Sequence, residues 1–305
     1  MTWNVENWFM PGGTAGVSDP TLWNQKLANL ADMITAHKPD VIGLQEIGDP
    51  AALAALKTKL GTRYPHVLLA THFDAMHPIR VGVLVRRGLQ ATSAEELIEF
   101  PPGALSGVPQ ASGPLSAMGR GALGFSVVID GESIRFVVMH LKSKLLTYPN
   151  GRFSPKDENE RARAGGFALF RRAAEAVAVR AWINDYMTGN EGALVVAMGD
   201  LNDGPDAATT QVLYGPPDEN LARPDRGDRW RLINLARFLP AGDQFSRVYK
   251  KHGELIDHIM VSTELARRPV DITIDTAHVT SIGDQPSQRK KAVWPDHAPV
   301  IATIN

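Results

Sequence analysis

The chain has no cysteine in its 305 residues, which excludes disulfides and thiolate metal sites and fits any compartment. It also lacks an excess of charge of one sign. Its 32 Lys and Arg against 33 Asp and Glu give a formal net charge of −1, which argues against a nucleic-acid footprint spread over the whole surface. Only local basic patches remain, "RPDRGDRWR" (223–231) and "SQRKK" (287–291), and each also reads as a plain solvated face. No apolar run approaches the roughly 20 residues that a membrane span needs. The N-terminus, "MTWNVENWF", has no basic stretch followed by an apolar one, so no secretion signal and a cytoplasmic location are expected. Internal repeats and low-complexity linkers are absent as well.

What is present supports a sizeable core: 44% of residues are hydrophobic and 21% charged. The length suits one large α/β domain, expected to span 1–305. Leu27, Leu30, Ala31 and Ile34 fall at helical spacing and predict a helix over 23–38. A short buried strand follows at 39–47, then a helix at 49–61 with Asp near its start and Gly at its end. Strands are expected at 80–88 and within 122–143, where "DGES" turns a hairpin. A long helix is expected over 156–187, with Gly165-Gly166 as a candidate interruption. Strands return at 194–199, 244–249, 255–262 and 297–304. The Pro-, Gly- and Ser-rich segment 101–119 reads as a loop. Alternating elements with several hairpins imply mixed sheets covered by helices, whose strands are apolar except where they emerge.

Polar residues gather at those emergence points. "VVAMGDLNDGP" (195–205) ends an apolar strand with Asp200, Asn202 and Asp203. At strand spacing Asp200 and Asn202 share a face, with Gly199 letting the backbone approach whatever sits there. A carboxylate that holds a water, flanked by an amide, is one reading; an inert polar junction is the other. The pattern recurs at Asn4 in "TWNVEN", Glu46 in "LQEI", His140 in "VVMHLKS", Asp257 in "LIDHI", and Asp296 and His297 in "PDHAP". Singly, each has a dull explanation as a cap, a solvated residue or a satisfied structural histidine. Together they are harder to dismiss, because burying so many polar groups without partners costs several kcal/mol.

The motifs "WNVEN", "LQEI", "HLKS", "GDLND", "IDHI" and "PDHAP", in this order over residues 3 to 300, resemble those of the endonuclease/exonuclease/phosphatase superfamily with its deoxyribonuclease-I-like fold. The resemblance implies a four-layer α/β sandwich, two packed mixed sheets flanked by helices. It also implies hydrolysis of phosphodiester or phosphomonoester bonds with Mg²⁺ or Mn²⁺. An oxygen-rich, thiol-free donor set agrees with a hard cation. On this basis Glu46 is the principal metal ligand and Asn4 supports the metal or the scissile phosphate. Asp200 orients or deprotonates the attacking water, and Asn202 helps to position the phosphate. His140 bonds a phosphate oxygen or protonates the leaving oxygen. His297 is held by Asp257 and stabilises charge on the phosphate, and Asp296 is an outer or second metal ligand. Arg120 and Lys142 are candidate phosphate contacts, each also readable as a structural or solvated cation.

The substrate is expected to lie in the loops. Without a "CDRI" motif the inositol polyphosphate 5-phosphatase branch is disfavoured, and His140 stands where the abasic-site repair branch has another residue. "HLKSK" and "FSRVYKKHGELIDHIMVS" are more similar to the bacterial nuclease branch. A nuclease acting on DNA, with RNA as a further substrate, is the leading expectation. The alternatives are a phosphomonoesterase, a sphingomyelinase-like lipid phosphodiesterase and a non-catalytic binding protein on the same fold. The oligomeric state stays open.

Overall fold

Asp19 opens the first helix. Its carboxylate accepts from Thr21 N and Leu22 N, and Pro20 occupies the first turn, where a missing N–H costs nothing. The computed structural model describes all residues except 14, 74–76, 106, 108–112, 150–151, 153, 191, 216–229, 241, 243 and 284–285. In chain order the first half contains β1 (Thr2–Trp8), α1 (Pro20–His37), β2 (Val41–Ile47), α2 (Pro50–Leu60), β3 (His66–Leu69), β4 (Arg80–Val85), β5 (Gln90–Ala91) and β6 (Glu95–Glu99). A long hairpin, β7 (Ala117–Ile129) and β8 (Glu132–His140), leads into α3 (Glu158–Met187), β9 (Leu194–Asp200) and α4 (Ala208–Tyr214). The remainder is β10 (Leu232–Asn234), β11 (Arg247–Tyr249), β12 (His252–Glu254), β13 (Asp257–Ser262), α5 (Thr263–Ala266), β14 (Val270–Ile274) and β15 (Val300–Ile304).

Two large mixed sheets result. One has the order β14-β15-β1-β2-β4-β3; the other runs β10-β13-β9-β8-β7-β5, with β6 also on β7. Among the described residues, only the strand pairs β1–β2 and β8–β9 are parallel. Three apolar layers explain the stacking. Val81, Val83, Phe136, Val138, Val196, Met198, Ile259 and Val261 form the layer between the sheets. The alternate residues point outward: Leu84, Ile42 and Leu44 meet Leu30, Ile34 and Leu53 under α1 and α2. Val137, Met139, Val195, Ala197 and Met260 meet Val179, Ile183 and Leu213 under α3 and α4. This period of two, apolar on both faces, is what strands covered on both sides require. The expected four-layer α/β sandwich is therefore the observed fold.

Gly43 marks a close approach of the sheets, since a Cβ there would lie 2.9 Å from Val138 Cγ1 and 3.1 Å from Met198 Cε. Residues just beyond it on β1 and β2 consequently face the ends of β8 and β9. The hairpin turn falls where "DGES" puts it, with Asp130 and Gly131 at φ of 51° and 86°, the left-handed pair that suits strand twist. One expectation fails: α3 runs unbroken through Gly165-Gly166 for 30 residues. Cooperative hydrogen bonding and the buried face containing Ala164, Ala168 and Ala176 outweigh two glycines, each worth only about 1 kcal/mol. The segment expected as loop at 101–119 ends early, because β7 starts at Ala117. Its residues 106 and 108–112 lie outside the described residues. No described helix is long and apolar enough to cross a membrane.

Candidate active site

β1 and β2 both depart from regular pairing at one level. Their register shifts between Asn4 and Trp8, and that of β2 with β4 between Leu44 and Ile47. Glu6, Asn7 and Glu46 take up the slack with φ of 49°, 46° and 64°. Such left-handed backbone at a non-glycine residue costs on the order of 1–3 kcal/mol and gathers where side chains must be re-aimed. Here it turns Glu46 toward Asn4. The Asn4 amide Nδ2 donates to Glu46 Oε1 at 3.1 Å and to Asp200 Oδ2 at 2.9 Å, so one side chain joins the two sheets. Asn7 N donates to the second oxygen, Glu46 Oε2, at 2.8 Å.

The opposite wall comes from the second sheet. His140 and Asp200 are partners in the parallel β8–β9 register, and Asp257 of β13 pairs with Asp200 from the other side. His140 Nε2 lies 3.5 Å from Asp200 Oδ2, and His297 Nε2 lies 4.0 Å from the same oxygen. His297 Nδ1 sits 2.7 Å from Asp257 Oδ2. That oxygen also accepts from Ser246 Oγ at 2.6 Å. Trp3 Nε1 donates to the His297 carbonyl at 2.9 Å and anchors its backbone.

Charge follows from burial and these neighbours. Burial works against a charged His297, but Asp257, Asp296 and Asp200 outweigh it and raise the ring to about 10, so it is an imidazolium at neutral pH. Burial and the adjacent Asp257 push the Asp200 carboxyl up to about 7. Burial, reinforced by Arg120, His297 and Lys142, drives His140 well below 6.5 and leaves it neutral. The cleft thus combines a fixed cation, a carboxyl near neutrality and a neutral imidazole whose Nδ1 is buried without a partner among the described residues.

Asp200, Asp257 and His297 offer ligand atoms within 4.8 Å of one another, enough to hold a metal ion on geometry alone. Chemistry disfavours that cradle. A protonated imidazole has no free lone pair, and Nδ1 already faces Asp257. Glu46 fits a hard cation better: its carboxylate is half-buried at the cleft and each oxygen accepts one N–H, which leaves further lone pairs. The neighbouring Asp200 carboxyl, raised by burial, is a second oxygen donor that a cation would stabilise in its charged form.

Several sequence-derived placements change. Asn202 does not share a strand face with Asp200, because β9 ends at Asp200 and Asn202 turns left-handed at φ 56°. Its N–H caps Asp200 Oδ1 at 2.8 Å and its Nδ2 donates to Leu141 O at 3.0 Å, a local turn in place of strand alternation. Gly199 is needed for a different reason from the one expected. A Cβ there would lie 1.9 Å from Met139 O on the neighbouring strand. Lys142 lies beyond β8, and its Nζ donates to Ser143 O at 3.1 Å and Leu145 O at 2.8 Å rather than facing the cleft with His140. Arg120 Nη1 donates to Leu141 O at 2.8 Å, close enough to depress His140. The Asp296 carboxylate stands 3.5 Å from Arg247 Nε, outside the Asp200–Asp257–His297 group. Of the basic patches, 223–229 lies outside the described residues, and Arg289 of 287–291 turns inward onto Glu6. Ser246, Glu6 and Lys26 went unread in the sequence; only the short spacing of "NVEN" hinted at Glu6.

Comparison with known proteins places this geometry. No curated protein matches by sequence. Among solved structures, D. rerio TDP2 complexed with a single-strand DNA product is similar at TM-score 0.56 and 17% identity, over 100% of this chain and 97% of that one. The Bacteroides thetaiotaomicron mannosyl-6-phosphatase Bt3783 gives 0.57 and 14%, over 100% and 98%. The human Nocturnin catalytic domain with bound sulfate gives 0.53 and 12%, over 93% and 87%. At these identities the likeness speaks for the fold alone. The sequence profile speaks for more, since it matches residues 1–287, through all but the last of the motifs that line the cleft, and the chain belongs to the Endonuclease/Exonuclease/phosphatase family.

Proposed function

We propose that residues 1–305 form one catalytic domain that hydrolyses phosphodiesters with Mg²⁺ or Mn²⁺, acting as a nuclease on DNA and also on RNA. The observation that carries this is the Asn4 amide, which ties Glu46 to Asp200 at the point where His140 and His297 converge. Glu46, with Asn4 beside it, would hold the cation. When bound, the cation stabilises negative charge developing on the phosphoryl oxygens.

The protein's own groups supply the rest. Asp200, oriented by N–H groups of Asn4 and Asn202, takes a proton from the attacking water. The water oxygen forms the new P–O bond as the ester P–O bond breaks. Asp257 and Ser246 fix the His297 imidazolium, which lies where it can donate through Nε2 to a phosphoryl oxygen. The neutral His140 ring, 3.5 Å from Asp200, donates its ring N–H to a phosphoryl oxygen as a hydrogen bond, and the leaving oxygen takes its proton from water. Asn202 acts through the N–H that orients Asp200. Asp296 is a charge partner of His297 and Arg247 and an outer or second oxygen ligand for the metal.

Support for a nucleic-acid substrate comes from the exposed Lys290 and Lys291 and from Arg120 beside the cleft. The alternative of a phosphomonoesterase gains from the inward turn of Arg289 and from Lys142 binding loop carbonyls, which remove two cations from a strand-tracking surface. Parallel assays on a labelled oligonucleotide and a monoester panel with Mn²⁺ decide between them. Oligonucleotide cleavage supports the nuclease; fast phosphate release with an intact oligonucleotide overturns it and favours the phosphatase.

A further inference from the structure

Arg289 reads in sequence as part of a solvated basic run, yet its side chain is only 21% exposed and its guanidinium faces the carboxylate of Glu6, a side chain 10% exposed. Nε donates to Glu6 Oε1 at 2.7 Å and Nη2 to Glu6 Oε2 at 2.5 Å, a paired contact that engages both oxygens. Nη2 also donates to Trp294 O at 2.7 Å, which fixes the arginine from the other side. Residue 6 is held at its other polar groups too. Its carbonyl accepts from Lys26 Nζ at 2.7 Å, and its N–H donates to Asn4 Oδ1 at 2.9 Å.

Those contacts hold a backbone that would not otherwise stay as it is. Glu6 and Asn7 are consecutive left-handed residues without a glycine. Their conformation aims the Asn7 N–H at Glu46 Oε2 and seats the Asn4 side chain between Glu46 and Asp200. If residue 6 relaxed to extended backbone, both donors that orient the Glu46 carboxylate would move together. We propose that Arg289 is a positioning residue for Glu46, acting through the Glu6 carboxylate and the β1 bulge. This rests on the reading of Glu46 as the cation ligand. The pairing needs the planar two-pronged guanidinium, which lysine cannot reproduce.

The test is Mn²⁺ binding to the chelator-stripped full chain, read by calorimetry, alongside thermal melts. Arg289→Gln is expected to weaken Mn²⁺ binding about 10- to 100-fold, the usual loss when a group that orients a metal ligand is removed. Saturating Mn²⁺ should restore much of its turnover, which a merely destabilised fold would not show. Arg289→Lys should fall between wild type and Arg289→Gln, and Lys59→Ala, at an exposed lysine with no part in the site, should bind like wild type. Glu46→Ala separates the two layers of the argument. If Glu46→Ala loses Mn²⁺ while folded Arg289→Gln binds as tightly as wild type, the positioning role is overturned and the ligand reading stands. If Glu46→Ala also binds like wild type, the ligand reading fails and the positioning role falls with it. Should Arg289→Gln not fold, wild-type affinity in Arg289→Lys overturns the proposal in its place.

Discussion

Replacing Asp257 by Asn removes one charge from the centre of the cleft and little else. Asp257 Oδ2 accepts from Ser246 Oγ at 2.6 Å and lies 2.7 Å from His297 Nδ1. An Asn carbonyl in that position keeps both contacts. The amide nitrogen then takes the place of Oδ1, which has no partner among the described residues, at a cost of about 1–3 kcal/mol for an unsatisfied buried donor. The larger effect falls on His297. Holding the ring charged to about 10, instead of 6.5, corresponds to roughly 5 kcal/mol of favourable interaction with the imidazolium. Asp257 is its leading source, and burial, the largest influence on the ring, opposes it. Without the Asp257 charge the ring should lose its proton near or below neutrality. A pKa raised on folding stabilises fully below 6.5, and that stability is lost as pH rises from 6.5 through about 10. Urea titrations at pH 6, 7.5 and 9 should therefore show the wild type losing stability over that window through this group, with a flatter profile in Asp257→Asn. Turnover at pH 7.5 should fall by orders of magnitude, and His297→Ala combined with Asp257→Asn should lose little more than either change alone. An Asp257→Asn protein with wild-type turnover and the same pH slope would refute the idea that Asp257 keeps His297 charged.

His258, buried beside Asp257, gives the opposite sign. Its Nδ1 lies 3.2 Å from Asn234 Nδ2 and its Nε2 is 2.9 Å from Asp203 O, and burial lowers its pKa below 6.5. Its contribution is complete above 6.5 and is lost as pH falls from there through the lowered folded value, so His258→Asn should flatten stability against pH on the acid side; an unchanged acid limb counts against it. For the nucleic-acid reading, log affinity for duplex DNA against log salt should have a slope of roughly −2 to −4, at about −0.9 per phosphate contact, and a slope near zero would speak against strand-tracking cations.

Continuous apolar runs carried much of the fold. Strands such as "FVVMHL" and "LVVAMGD" are apolar on successive residues because helices cover one face and the second sheet the other. Short elements at the margins, including β14 and α4, were missed, since five and seven residues give little periodicity to read. In the site, residues at strand ends were legible because a polar side chain after an apolar run needs a reason. Those that depend on turns were not. Asn202 was read by strand spacing, but the chain had already left the strand. Lys142 was read the same way and instead closes its own loop. Glu6 and Arg289 pair across 283 residues, and nothing local distinguishes Arg289 from its exposed neighbours Lys290 and Lys291. Ser246 was hidden for a related reason, because its hydroxyl matters only once Asp257 is placed against it.

The central claim is that the Glu46, Asp200 and His297 cleft hydrolyses phosphodiesters with a bound divalent cation, and turnover of bis-p-nitrophenyl phosphate by dialysed protein tests it most directly. No turnover is expected in excess EDTA, with restoration on adding Mn²⁺. Full turnover in EDTA after dialysis would contradict it.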